Sequence, residues 1–155
     1  PDLFKNHKVI LTPTSDTRIE AVNQIEKLWT ELGSEVLKMT DESHDRALAM
    51  TSLLPHLLAY NVMDTLLRQD DSRSLLEFSA GGFRDFTRIA SSNPELWADI
   101  LLMNKDNIVK FCGEFKSGLN SLILALEASD RERIIETFSN AKKARDSQLT
   151  VDKKR

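Results

Sequence analysis

The sequence predicts a mainly α fold in which an all-helical domain, residues 40–155, follows a short β-α-β unit, residues 1–39. Three observations carry that prediction. Two short β-branched apolar runs, Lys8 to Thr12 (KVILT) and Glu35 to Met39 (EVLKM), bracket a stretch of helical spacing. From Thr40 the pattern changes, and Ala47 to Leu67 is apolar nearly all round. Further on, Ile108, Cys112, Phe115, Leu119, Leu122 and Leu126 step by 4, 3, 4, 3 and 4 residues, the spacing of a long helix with an apolar seam.

The first strand closes at Pro13, which has no backbone N–H to continue a ladder. Ser15 or Asp16 is expected to cap the helix that follows, with Ile19, Val22, Ile25, Leu28, Trp29 and Leu32 on its apolar face and Gly33 as the left-handed stop. Strand, helix and strand within roughly thirty residues make the smallest right-handed parallel crossover. Two parallel strands cannot stand alone, because a parallel sheet needs cover on both faces and several paired strands. Residues 1–39 are therefore expected to be the tail of a larger α/β domain whose other strands lie upstream.

Asp41 or Ser43 is expected to open a long helix buried on every side, with a kink at Pro55 that frees a carbonyl one turn earlier. Asp70 to Ser74 should break it, and Ser79 to Phe83 (SAGGF) should form a flexible turn. Asn93-Pro94 is a strong start signal, cap followed by proline at the first helical position, for a helix to about Met103. Asn104 or Asp106 begins the seam helix, and Asp130 caps a last helix carrying Ile134, Ile135, Phe138 and Ala141. The charged stretches Lys142 to Arg145 and Val151 to Arg155 are expected to fray.

Charge and composition narrow the function. Twenty-one Lys and Arg against 24 Asp and Glu leave a net charge of -3, so no overall cationic field exists to hold nucleic acid or an anionic membrane. No stretch reaches the roughly 18 uninterrupted apolar residues of a membrane span. Cys112, the single cysteine, rules out an internal disulfide and suits a reducing, cytoplasmic setting; on the apolar seam it reads as an inert core residue. The three histidines, His7, His44 and His56, have no metal-ligand spacing, and His44 and His56 stand more than three turns apart on one helix, so no metal is expected.

His56 nevertheless stands out. An imidazole in an apolar helix needs a polar partner or a polar cavity, so it either bonds a backbone carbonyl near Pro55 or faces a pocket. His44, with Asp45 beside it near a helix start, reads by itself as a surface residue. The densest segment is Gly81 to Ala90 (GGFRDFTRIA). If it is helical, Arg84 and Arg88 share a face and Asp85 can hold the Arg88 guanidinium in one rotamer, a fixed fork suited to a carboxylate. The plainer reading is an exposed ion pair contributing about 0–1 kcal/mol. Trp97 is either a core or interface anchor or a pocket wall, and the seam packs either within one domain or across a two-fold dimer.

Taken in order, Leu11-Thr12-Pro13-Thr14, Ser43-His44-Asp45, Ser52-Leu53-Leu54-Pro55-His56, the Gly81–Ala90 segment, and Pro94-Glu95-Leu96-Trp97 with Asn104 resemble the prephenate and arogenate dehydrogenases. The resemblance covers nearly the whole chain. It implies an enzyme of tyrosine biosynthesis that oxidatively decarboxylates prephenate or arogenate with NAD or NADP. It further implies a Rossmann-type nucleotide domain, of which residues 1–39 are the remnant, and a helical domain that forms a homodimer and supplies much of the substrate pocket. Carried over by resemblance, Arg88 binds the ring carboxylate, His56 lies near the substrate, Asp85 orders these groups, and His44 and Trp97 occupy further pocket or gating positions. Leu53 departs from the family, where many relatives carry another histidine. The glycine-rich phosphate fingerprint and the family's catalytic histidine are absent and expected upstream, so this chain alone is expected to be inactive. The competing reading is a non-enzymatic helical dimerisation module.

Overall fold

The computed structural model describes residues 3–152. It divides between Phe111 and Cys112 into two compact units.

The first unit opens with strand β1 (Lys8–Leu11), helix α1 (Ile19–Glu31) and strand β2 (Glu35–Lys38). The strands pair in parallel, Lys8 opposite Glu35 and Leu11 opposite Lys38. This is the expected crossover unit, its two strands forming the whole sheet among the described residues. Gly33 takes φ +87°, the left-handed stop expected of it, and a Cβ there would press on Lys5 at 3.4 Å. The expected cap at Ser15 or Asp16 is not used. The Thr14 N–H donates to Thr17 Oγ1 and the Thr17 N–H to the Thr14 carbonyl, closing a separate turn, and α1 starts after Arg18 without a side-chain cap.

Helix α2 (Asp41–Leu48) starts from Thr40, whose hydroxyl accepts from the Ser43 N–H at 3.2 Å, so the cap lies one residue before the earlier of the two expected positions. Asp41 and Glu42 instead fill the first turn, favourable beside the helix dipole. The chain continues through a π-helical turn, Ala49–Leu53, into α3 (Leu54–Leu67). This replaces the simple kink expected at Pro55. Around the missing proline N–H the helix widens, and the Leu54 N–H bonds the Ala49 carbonyl five residues back. Nor is this helix buried on every side: Met50 is 51% and Leu67 60% exposed.

A short α4 (Ser72–Glu77) occupies part of the expected break. Helix α5 (Gly81–Thr87) begins at the glycine pair, where a flexible turn was expected. A Cβ added at Gly81 or Gly82 would meet nothing within 4 Å, so no close backbone approach holds these glycines. Glycine lowers helix propensity by about 1 kcal/mol without forbidding the helix. A 3-10 turn, Arg88–Ser91, follows, and α6 (Pro94–Met103) starts as expected, with Asn93 Oδ1 accepting from the Glu95 and Leu96 N–H groups at 2.9 and 3.1 Å.

Helix α7 (Lys105–Glu127) begins in the first unit and carries the predicted seam. Ile108 and Phe111 are buried in the first unit's core with Ala49, Leu53, Leu54 and Ala59.

The second unit holds the rest of α7 and α8 (Arg131–Asp152). Ser129 takes φ +54° between them, and Asp130 Oδ1 accepts from the Arg133 N–H at 3.0 Å, the cap expected there. Lys142 to Arg145 are helical rather than frayed, with Lys142 paired to Asp146 one turn on; residues 153–155 lie outside the described residues.

Candidate functional site

The clearest feature of the first unit is a ring stack. His56 and Trp97 lie face to face with centroids 3.5 Å apart and planes 16° from parallel. Both side chains are half-buried. His56 Nδ1 lies 2.9 Å from the Ser52 carbonyl oxygen. A carbonyl can only accept, so a hydrogen sits on Nδ1, and the tautomer with its single hydrogen there leaves Nε2 as an acceptor. Nε2 has no hydrogen-bond partner among the described residues. The backbone partner foreseen for His56 is thus present, supplied by Ser52, and the other ring nitrogen stays available.

Trp97 is held by the start of α6, fixed in turn by the Asn93 cap and by Tyr60. The Tyr60 hydroxyl donates to the Ser92 carbonyl at 2.6 Å, tying α3 to the residue that joins the 3-10 turn to the α6 cap. Thr87, buried, donates its hydroxyl to the Phe83 carbonyl at 2.7 Å, closing α5 on itself just before Arg88.

Arg84, Asp85 and Arg88 are exposed and form no ion pair or side-chain hydrogen bond among the described residues. The expected Asp85–Arg88 pair is therefore not formed. The helix changes from α to 3-10 winding at Arg88, which alters the three-residue offset, and an exposed pair gains too little to enforce a rotamer. What remains at the head of the 3-10 turn is a guanidinium with no anionic neighbour.

His44 lies on α2, half-buried rather than on the open surface, with Nδ1 3.0 Å from Asp45 Oδ1. The Asp45 carbonyl accepts from Asn104 Nδ2 at 2.7 Å, and Asn104 Oδ1 accepts from Asn107 at 3.0 Å. Arg46 sits over the Phe111 ring, 5.3 Å from its centroid, a cation-π contact that anchors α2. His44 and the His56–Trp97 stack therefore belong to two separate clusters with different partners. Cys112 is half-buried, and burial pushes its thiol up, away from the reactive thiolate.

Two apolar cavities lie away from the ring stack. One of about 430 Å³ is bounded by Val62, Leu66, Leu75, Phe78 and Phe83, and one of about 360 Å³ by Ile10, Pro13, Val22 and Ile25. No group of three His, Cys, Asp or Glu side chains able to hold a metal ion occurs among the described residues, and no helix there is long and apolar enough to cross a membrane.

A model of the family described as "Prephenate dehydrogenase, dimerization domain" matches residues 40–140. The chain belongs to the prephenate dehydrogenase family. It is 37% identical over 146 residues to a cyclohexadienyl dehydrogenase of Zymomonas mobilis, covering 93% of this chain and 50% of that protein. It is also 37% identical to a prephenate dehydrogenase of Bacillus subtilis, of which it covers 39%. The crystal structure of prephenate dehydrogenase from Aquifex aeolicus in complex with hydroxyphenyl propionate and NAD+ superposes with a TM-score of 0.87 at 35% identity, over 94% of this chain and 51% of that one. The chain thus spans half or less of the length of these curated relatives. Its mainly α architecture with a two-stranded parallel sheet is that of the C-terminal portion of the prephenate dehydrogenases.

Two residues that anchor these clusters, Tyr60 and Arg46, were not among the candidates read from the sequence. Tyr60, the only tyrosine, carried a signal that could have found it: a hydroxyl in an otherwise apolar helix must reach a partner. Arg46 had none, since one arginine among the polar residues of α2 reads as solvated surface.

Proposed function

We propose that this chain is the substrate-binding and dimerising part of an NAD(P)-dependent prephenate or arogenate dehydrogenase. We read the domain boundary between residues 39 and 40, a reading supported by the family match that begins at residue 40. The full protein would convert prephenate to 4-hydroxyphenylpyruvate, or arogenate to tyrosine, by oxidative decarboxylation. The observation that carries this reading is Arg88, an exposed guanidinium without an ion pair, in a member of this family. A planar fork of donors free of a protein anion suits a carboxylate ligand.

Within that reading Arg88 binds the ring carboxylate until it departs as carbon dioxide, and His56 offers Nε2 to a polar group of the substrate. Trp97 holds the imidazole by its face and walls the pocket. Asp85 and His44 are assigned further out, as groups that shape the surroundings.

The described residues do not fit a dinucleotide. The five glycines, at 33, 81, 82, 113 and 118, make no phosphate-binding fingerprint, and α1 starts without one. Residues 8–38 are instead read as the edge of a nucleotide-binding sheet completed by other strands, since a two-stranded parallel sheet is not self-sufficient. The chain by itself is accordingly proposed to be inactive. Support for a homodimer comes from the family domain's description and from apolar surface on the second unit, where Leu124 and Leu126 are each 64% exposed. A single half-buried cysteine suits a cytoplasmic protein.

The test is Arg88→Ala in the full-length enzyme, followed by steady-state kinetics. Removing the guanidinium costs about 2–4 kcal/mol of substrate binding, a loss of roughly 30- to 1000-fold in kcat/KM. Unchanged kinetics would remove Arg88 from the site.

A further inference from the structure

The ring stack and the unpaired guanidinium stand on different segments, and one hydroxyl joins them. Ser92 is four residues after Arg88 and five before Trp97; its carbonyl takes the Tyr60 hydroxyl at 2.6 Å. Tyr60 itself lies one helical turn after His56 on α3, so the two side chains leave the same face of the helix. His56 meets Trp97 and Tyr60 meets Ser92. The stack therefore has one ring on each side of this hydrogen bond.

The other end of the same helical run is anchored independently. The Asp45 carbonyl accepts from Asn104, at the far end of α6, and Arg46 covers Phe111. Between the two sets of anchors lies the π-helical turn Ala49–Leu53, which fixes the rotation of α3 relative to α2. Such turns are commonly found where a helix serves a functional site.

We propose that Tyr60 is a positioning residue: its bond to Ser92 holds the Arg88–Ser91 turn and the start of α6 in register with α3, keeping Trp97 on His56. The assignment of substrate contacts to Arg88 and His56 rests on the function proposed above, whereas the geometry of the stack does not. Tyr60 touches no reacting atom in this account. Its ring keeps its place in the helix when the hydroxyl is removed, and the Ser92 carbonyl then loses its partner.

The experiment uses full-length protein carrying isotopically labelled histidine. A proton near the face of an indole at 3.5 Å is shielded, so the His56 resonance, identified by its loss in His56→Asn, lies upfield of the His7 and His44 signals. Tyr60→Phe is expected to move it downfield while leaving those of His7 and His44 in place. Thr65→Ala, which removes another hydroxyl of α3, bonded only to the Asn61 carbonyl, should leave His56 unmoved. In the enzyme Tyr60→Phe should raise the KM for the carboxylate substrate by about two- to tenfold, the worth of one neutral hydrogen bond, with kcat changing less. An unmoved His56 resonance in Tyr60→Phe overturns the proposal whatever the kinetics show. A moved resonance with unaltered kinetics supports the positioning role and counts against the substrate reading instead.

Discussion

Replacing His56 and Trp97 with alanine, singly and together, isolates the energy of their stack. Each single substitution removes other things as well: His56→Ala loses the bond to the Ser52 carbonyl, and Trp97→Ala loses indole packing at the start of α6. A double-mutant cycle cancels these private terms and leaves the coupling. Rings 3.5 Å apart and 16° from parallel are in direct face contact, and aromatic pairs of this kind contribute about 0.5–1.5 kcal/mol beyond the area they bury. Both rings are half-buried, so solvent does not screen the contact fully. The assay is urea unfolding of the four proteins at one concentration, fixed because an oligomer's stability depends on it. A coupling below about 0.3 kcal/mol, the level at which independent sites add, would refute the stack as an interaction that holds the site together.

The Asn93→Ala variant removes the acceptor of two N–H groups at the start of α6 and is expected to cost about 1 kcal/mol, seen as a fall in Tm of about 2–4 °C; an unchanged melt would mean the cap contributes nothing. Burial pushes the Cys112 thiol up, so less of it is thiolate at pH 8 than in an unstructured peptide, and iodoacetamide should alkylate it more slowly in the folded protein than after unfolding. Equal rates would contradict the burial.

Where a local rule decided the backbone, the sequence was readable. Gly33 had to leave the right-handed region at the end of α1, Asn93-Pro94 had to start a helix, and Asp130 had to cap one; all three do. The helical character from Thr40 onward and the parallel crossover before it follow from period alone. The π-helical turn was not legible, because one extra residue in a helix apolar nearly all round leaves no clear break in the pattern. The glycine pair misled in the other direction. Its low propensity suggested a loop, yet propensity is a weak prior and α5 begins there.

The candidate site was only partly visible. His56 announced its need for a partner, and a backbone carbonyl one turn earlier, that of Ser52, supplies it; that Trp97 would cover the ring depends on a contact 41 residues apart in sequence, which no local pattern encodes. Asp85 and Arg88 stood at the right spacing for a pair and do not form one, since α winding ends between them and solvent weakens the attraction. The Tyr60 hydroxyl signalled a need for a partner, but that the partner is the Ser92 carbonyl, 32 residues on, is a tertiary contact that no local pattern encodes.

We propose that Arg88 of this prephenate dehydrogenase family member binds the ring carboxylate of prephenate or arogenate. Calorimetric titration of prephenate into the full-length protein and its Arg88→Ala variant, without nicotinamide cofactor so that no turnover occurs, tests it most directly. The wild-type protein is expected to bind, with an affinity lower by about 30-fold or more in the variant, the effect of losing one charge-assisted pair of about 2 kcal/mol. Equal affinity in the two proteins, or no binding to the wild type, would contradict it.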